Sequence, residues 1–155
     1  MTNDHFAGDD RSHWQRMLDG DPYIADGPEF AEASRRATRL CDAFHRAVVD
    51  VDPGSRELLE ELLGHLGEDA DVRPPLCVDY GSRISIGARS FVNFNLTALD
   101  VAEIRIGANC LISQHVTIVG TNHGTAPGTP IVDQPWSGEG VVVGDDVWVG
   151  AGAVL

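Results

Sequence analysis

A chain of 155 residues is long enough for one domain, or one small domain with an appendage. Its formal charge of −13, with 11 arginines and no lysine, argues against nonspecific binding to nucleic acid or to an anionic membrane. No apolar run reaches the length of a membrane span, the start MTNDHFAGDDRSH lacks the basic and hydrophobic parts of a signal peptide, and Cys41, Cys77 and Cys110 show neither pairing nor zinc spacing. A reduced, cytoplasmic protein is the expectation.

Residues 1–11 read as a loose polar tail. Ser12 to Gln15 fit a capping box, after which Trp14, Met17 and Leu18 share one helical face until Gly20 ends the turn. A link rich in Gly, Pro and Asp leads from Gly20 to Pro28. A second helix starts near Pro28 and sets Phe30, Ala33, Ala37, Leu40, Cys41, Phe44 and Val48 on one stripe. Asp52 and Pro53 open a third, with Leu58, Leu59, Leu62, Leu63 and Leu66 on one face before Gly67. Residues 12–72 are thus expected to form a helical N-terminal region whose stripes are packing surface. The double proline Pro74-Pro75 forbids helix and is expected to start the first extended coil, within residues 73–155.

From Ile84 onward the period changes to six. An aliphatic residue before a glycine opens three similar passages at Ile86, Ile106 and Val143. Steps of six lead from Ile86 to Val92 and Ala98, from Ile106 to Ile112 and Ile118, and from Val143 to Val149 and Leu155. Such a period fits neither an amphipathic helix nor a two-residue strand alternation. It predicts a mainly β fold, a single-stranded parallel β-helix of hexapeptide repeats, in which one aliphatic side chain per face points inward. Two extra residues before Ile106 predict a bulge or corner insertion in the first turn.

One long break interrupts the count. After Ile118 the next marker belongs at 124, yet the frame resumes at Val143, an excess of 143 − 124 = 19 residues. A loop over residues 120–140 must therefore leave the coil, and loops on one face of a repeat scaffold are often where something binds. His123 lies at its root, and Trp136 lies within it.

Several landmarks in fixed order carry a resemblance: MLDGDPY near Met17, RPPLCVDYGS from Arg73, VNFN at Val92, LDV at Leu99, the IVGTNHG run and VGDDVWVGAGAVL. Together they resemble the maltose and galactoside O-acetyltransferases of the hexapeptide-repeat superfamily, nodulation-type enzymes included. The likeness covers roughly residues 14–155. It implies a homotrimer of left-handed β-helices with active sites between subunits, and acetyl transfer from acetyl-coenzyme A to a sugar hydroxyl, with no metal. By resemblance His123 matches the general base, a role that suits an imidazole because its unperturbed pKa lies near working pH. Asn93 matches the amide that steadies the transition state and meets the acceptor. An acceptor-site serine falls on Asp79; one acceptor-site aspartate aligns to Ala25 or Asp26, and a second to Val101 with Asp100 beside it. The N–H that meets the thioester falls at Ala151, and Trp148 is expected to line the cofactor or the trimer seam.

The family continues for further hexapeptide steps and a tail, so the chain is expected to be a C-terminally truncated form. Residues 106–155 carry no basic side chain and four acids, Asp133, Glu139, Asp145 and Asp146. The phosphates of coenzyme A ordinarily call for basic groups or amide donors. Two other classes stand beside the acetyltransferase: a non-catalytic oligomerisation module, and a zinc enzyme on the same scaffold. The zinc enzyme would need three converging histidines, and the coil offers only His115 and His123. His115 is expected on an outer corner and Cys110 as an inward filler, while His5, His13, His45 and His65 carry no signal.

Overall fold

The computed structural model describes residues 6–155. Three helices come first. Helix α1 (His13–Asp19) is capped by Ser12, whose hydroxyl accepts from the Gln15 N–H at 3.1 Å, and it ends at Gly20 in the left-handed region. Helix α2 (Pro28–Val49) begins on its proline and buries Phe30, Ala37, Leu40, Phe44 and Ala47. Helix α3 (Ser55–Leu62) buries Leu59 and Leu62. Among the described residues no helix is long and apolar enough to cross a membrane.

Two expectations about this region need correcting. Residues 1–5 of the expected tail, His5 included, lie outside the described residues, but residues 6–11 are tied down rather than loose. Asp9 accepts from the Arg11 and Arg16 guanidiniums, and Arg16, itself buried, lies over the Phe6 ring and donates to the Pro22 carbonyl at 2.7 Å. The third helix is also shorter than its leucine stripe. Leu63 is already extended, and Leu66 lies in strand β1 (His65–Leu66). Parallel pairing ends the helix there: the N–H groups of Gly64 and Gly67 donate to the carbonyls of Ile84 and Ile86 in the next turn.

From β1 onward the chain winds through three parallel sheets in rotation. The first face stacks β1, β4 (Ile84–Ile86), β7 (Ile104–Ile106) and β12 (Val141–Val143). The second stacks β2 (Asp71–Val72), β5 (Phe91–Val92), β8 (Leu111–Ile112) and β13 (Trp148–Val149). The third stacks β3 (Leu76–Val78), β6 (Leu96–Leu99) and β9 (Thr117–Val119). Parallel winding starts at His65, ahead of the double proline, because β1 and β2 already pair with β4 and β5.

The counting of sixes describes the interior. Ile86, Val92, Ala98, Ile106, Ile112, Ile118, Val143 and Val149 all belong to one buried cluster, joined by Leu40, Phe44, Leu59 and Leu62 of the helices. Leu155, the last marker, is 43 % exposed. Cys110 is fully buried beneath the first corner. Left-handed residues recur at equivalent corners: Asp69, Arg89, Asn109 and Asp146 at the first, Asn95, His115 and Gly152 at the second. His115, exposed with φ 60°, turns the chain at a corner.

The third corner differs in every turn. Inward residues are six apart along the first two corners, but Val78 to Ile86 and Ala98 to Ile106 are each eight apart by subtraction. Register offsets between turns are accordingly 85 − 65 = 20 and 105 − 85 = 20. The two-residue insertion expected in one turn is a feature of both. After β9 the same corner carries the whole excursion, from Gly120 to Gly140, before β12 rejoins the first face.

Candidate active site

His123 ends strand β10 (Thr121–His123), which pairs antiparallel with β11 (Trp136–Gly138) directly after the third face. Its register partner is Trp136; the two rings meet edge to face at 4.5 Å, leaving the imidazole exposed. Trp136 is held in turn by Tyr23, through paired main-chain hydrogen bonds of 2.9 and 2.8 Å. Tyr23 is fully buried, stacked on Phe30 at 5.6 Å, and Trp14 packs edge-on against both Phe30 and Tyr80 at 5.2 Å. Aromatic contacts thus run from α1 and α2 to the hairpin, and the N-terminal region positions the histidine. Beyond His123 the loop is knotted by the buried Gln134, which accepts from Ala126 N–H at 2.8 Å and donates to the carbonyls of Ala126 and Thr129.

Asp79 follows β3 at the same corner, half-buried. Burial pushes its carboxyl up to about 6, and the nearby Asp100 adds to the shift. Tyr23 lies close enough for Asp79 to raise its phenol; burial is the larger cause and takes it to about 12, and its hydroxyl is buried with no hydrogen-bond partner. Asp100, expected to meet the acceptor, is fully enclosed. Its two carboxylate oxygens accept from the main-chain N–H groups of Tyr80, at 2.9 Å, and Arg83, at 3.2 Å. A carboxylate so enclosed has no surface for a ligand; it fixes the bend that presents Asp79.

Asn93 lies at the second corner, at the opposite end of the third face. Its Oδ1 accepts from the Phe94 N–H at 2.8 Å, which leaves the amide NH₂ to donate outward. A strand of four residues, β6, separates that corner from the one carrying His123, a span of about 13 Å, and no hydrogen bond joins the two side chains. Trp148 stands on the second face, 75 % exposed, its indole N–H donating to the Ser113 hydroxyl at 3.0 Å. Ala151 is exposed in the turn after β13, and its N–H makes no main-chain hydrogen bond. One chain therefore brings His123 and Asp79 to one corner and leaves Asn93, Trp148 and Ala151 elsewhere on the prism. Among the described residues no group of three or more His, Cys, Asp or Glu is placed to hold a metal ion.

Residues 16–67 match the maltose acetyltransferase hexapeptide capping motif. Nodulation protein L of Rhizobium meliloti is 35 % identical over 147 residues, covering 94 % of this chain and 79 % of its own length. The chain belongs to this family of hexapeptide-repeat acetyltransferases. Among solved structures, a hexapeptide-repeat acetyltransferase from Vibrio cholerae, complexed with acetyl-coenzyme A, superposes with a TM-score of 0.81 at 28 % identity over 93 % of this chain and 77 % of its own. A galactoside acetyltransferase in complex with coenzyme A gives 0.81 at 28 % identity, over 94 % of this chain and 72 % of its own. In this acetyltransferase the residues that sequence reasoning passed over are Tyr23 and Gln134. Tyr23 stood inside a landmark, MLDGDPY, with no pattern to assign it a partner more than a hundred residues away; Gln134 had no signal at all.

Proposed function

We propose that the protein moves an acetyl group from acetyl-coenzyme A to a sugar hydroxyl, with His123 as general base. The observation that carries this reading is an exposed imidazole, braced by Trp136, at the root of the hairpin leaving the third face. A sugar hydroxyl is hardly ionised near neutrality; His123 takes its proton as the oxygen attacks the thioester carbon. Negative charge gathers on the carbonyl oxygen, where the Asn93 amide and the Ala151 N–H are suited to donate. Collapse of the tetrahedral adduct expels the coenzyme A thiolate, which recovers a proton from the imidazolium.

His123 and Asn93 of one chain stand too far apart to share a reacting centre, so we assign the cleft to two copies of a left-handed coil within a homotrimer. An outward stripe on the second face supports an assembly: Trp148, Leu111 at 54 % exposure and Phe91 lie in register on consecutive turns. Coenzyme A fits this chain at its thioester end through Ala151, with Trp148 offering an aromatic face. Its phosphates find no basic side chain in residues 106–155, so their contacts fall to main-chain amides or to groups outside that stretch.

The test is release of coenzyme A thiol from acetyl-coenzyme A across a panel of mono- and disaccharides. Release that rises severalfold with one class of sugar, with the acetyl ester recovered on that sugar, is the expected result; release independent of every sugar refutes the reading.

Asp79 gives a second, pH-resolved expectation. Its carboxyl titrates near 6 in the folded chain against an ordinary 3.8, so the folded state holds the proton more tightly and stability falls as pH rises through that window. In urea titrations Asp79→Asn should match the parent below about pH 4 and exceed it in stability above about pH 6. A constant difference across that range would remove burial of this charge as the cause.

A further inference from the structure

Cys41 and Cys77, 36 positions apart in sequence by subtraction, line one crevice of about 280 Å³ between α2 and β3. Asp42 and His45 of α2 and Pro75 of the incoming strand complete its walls. The two thiols differ in access: Cys77 is exposed on β3, whereas Cys41 is half-buried on the helix. Burial, with smaller contributions from Cys77 and Asp100, pushes the Cys41 thiol up to about 11. Cys110 is buried elsewhere, against the Gly144 and Ala108 carbonyls, and takes no part.

We propose that this crevice is a dithiol exchange site which takes a low-molecular-weight disulfide and closes a reversible Cys41–Cys77 clasp between α2 and the third face. In the first step the Cys77 thiolate attacks one sulfur of the small disulfide; a new S–S bond forms at Cys77 and one small thiolate leaves. In the second, Cys41 gives up its proton to solvent and attacks the Cys77 sulfur, expelling the other half as a second thiolate. The two cysteines are oxidised by two electrons together, and the small disulfide is reduced to two thiols. Exposure sets the order, because Cys77 is exposed whereas Cys41 is half-buried and burial holds its thiol in the protonated form.

The clasp joins the helix that carries Phe30, against which Tyr23 stacks, to the strand that leads into Asp79. Cys77 lies on β3, two residues before Asp79, which sits in the bend that follows the strand. Oxidation therefore bears on the acceptor side of the site. That consequence rests on the function proposed above; the exchange chemistry does not.

The test treats the reduced 155-residue chain with oxidised glutathione and follows intact mass, peptide map and melting temperature. The expected result is loss of two hydrogens, a 41–77 crosslinked peptide, free Cys110, a melting temperature raised by roughly 5–10 °C and full reversal by dithiothreitol. Cys41→Ser should instead stop at a stable glutathione adduct on Cys77, and Cys77→Ser should remain unmodified over the same interval. A persistent adduct on Cys77 in the parent chain, a crosslink between two chains, or no reaction overturns the proposal. Because the readout is mass, a failed acetyl-transfer assay leaves this result standing, and the reverse also holds.

Discussion

Replacing His123 with alanine is expected to lower kcat for acetyl transfer by about 10²–10⁴-fold while acetyl-coenzyme A affinity stays within about twofold. The split follows from the position of the ring. His123 is exposed at the end of β10, touches Trp136 along one edge and carries none of the coil's interior, so its removal leaves the binding faces intact. Unfolding free energy should change by no more than about 0.5 kcal/mol, as for exposed side chains generally. Steady-state kinetics against both substrates, with calorimetry of acetyl-coenzyme A binding, read the two quantities apart. A variant with unchanged kcat would remove the imidazole from the mechanism, and one that loses donor affinity in proportion to turnover would make it a binding residue.

Gly87→Ala should be among the most damaging single methyls in the coil, alongside the equivalent glycines Gly67 and Gly107. Gly87 follows the inward marker Ile86 with its N–H donating to the Ile106 carbonyl, and a Cβ there would sit 2.5 Å from the main chain of Gly107 and Ala108 in the next turn. Both contacts are backbone, locked by the parallel ladder between β4 and β7, so neither can swing aside as a side chain would. Forcing the turns apart strains that ladder and opens the packing around Ile84, Ile86, Ile104 and Ile106. A loss of about 3 kcal/mol or more in urea unfolding is expected, at the upper end of overpacking effects. Gly54→Ala serves as the control: the nearest atom to its added methyl is the Asp52 carboxylate oxygen at 3.3 Å, on an exposed side chain rather than on backbone. Equal costs for the two substitutions would show that close approach between turns is not what the glycine serves.

The interior of the coil was legible because its physics is local and periodic. One inward aliphatic residue per face recurs at fixed spacing, and every marker from Ile86 to Val149 is buried where the count places it. Leu63 and Leu66 were misread for the converse reason. They continue a helical stripe, and only pairing with a strand some twenty residues later draws them into the prism. His123 stood out as a break in rhythm, whereas the groups that brace it did not. The Tyr23–Trp136 pairing and the crevice shared by Cys41 and Cys77 are contacts between distant segments, which composition and spacing cannot encode. Asp100 stood out only as the acid beside Val101, the position matched by resemblance to an acceptor-site aspartate, and it is consumed by two main-chain donors.

All three turns place their irregularity at a single vertex, the third corner, which carries the bend held by Asp100 and the excursion bearing His123. The remaining faces and vertices keep fixed arithmetic and hold the cross-section constant. Lengthening a surface segment costs only about 0.6 kcal/mol of closure entropy for each doubling. That vertex is therefore a port where whole segments can be grafted, resized or exchanged while the prism beneath stays as it is, and changes of acceptor chemistry should concentrate there.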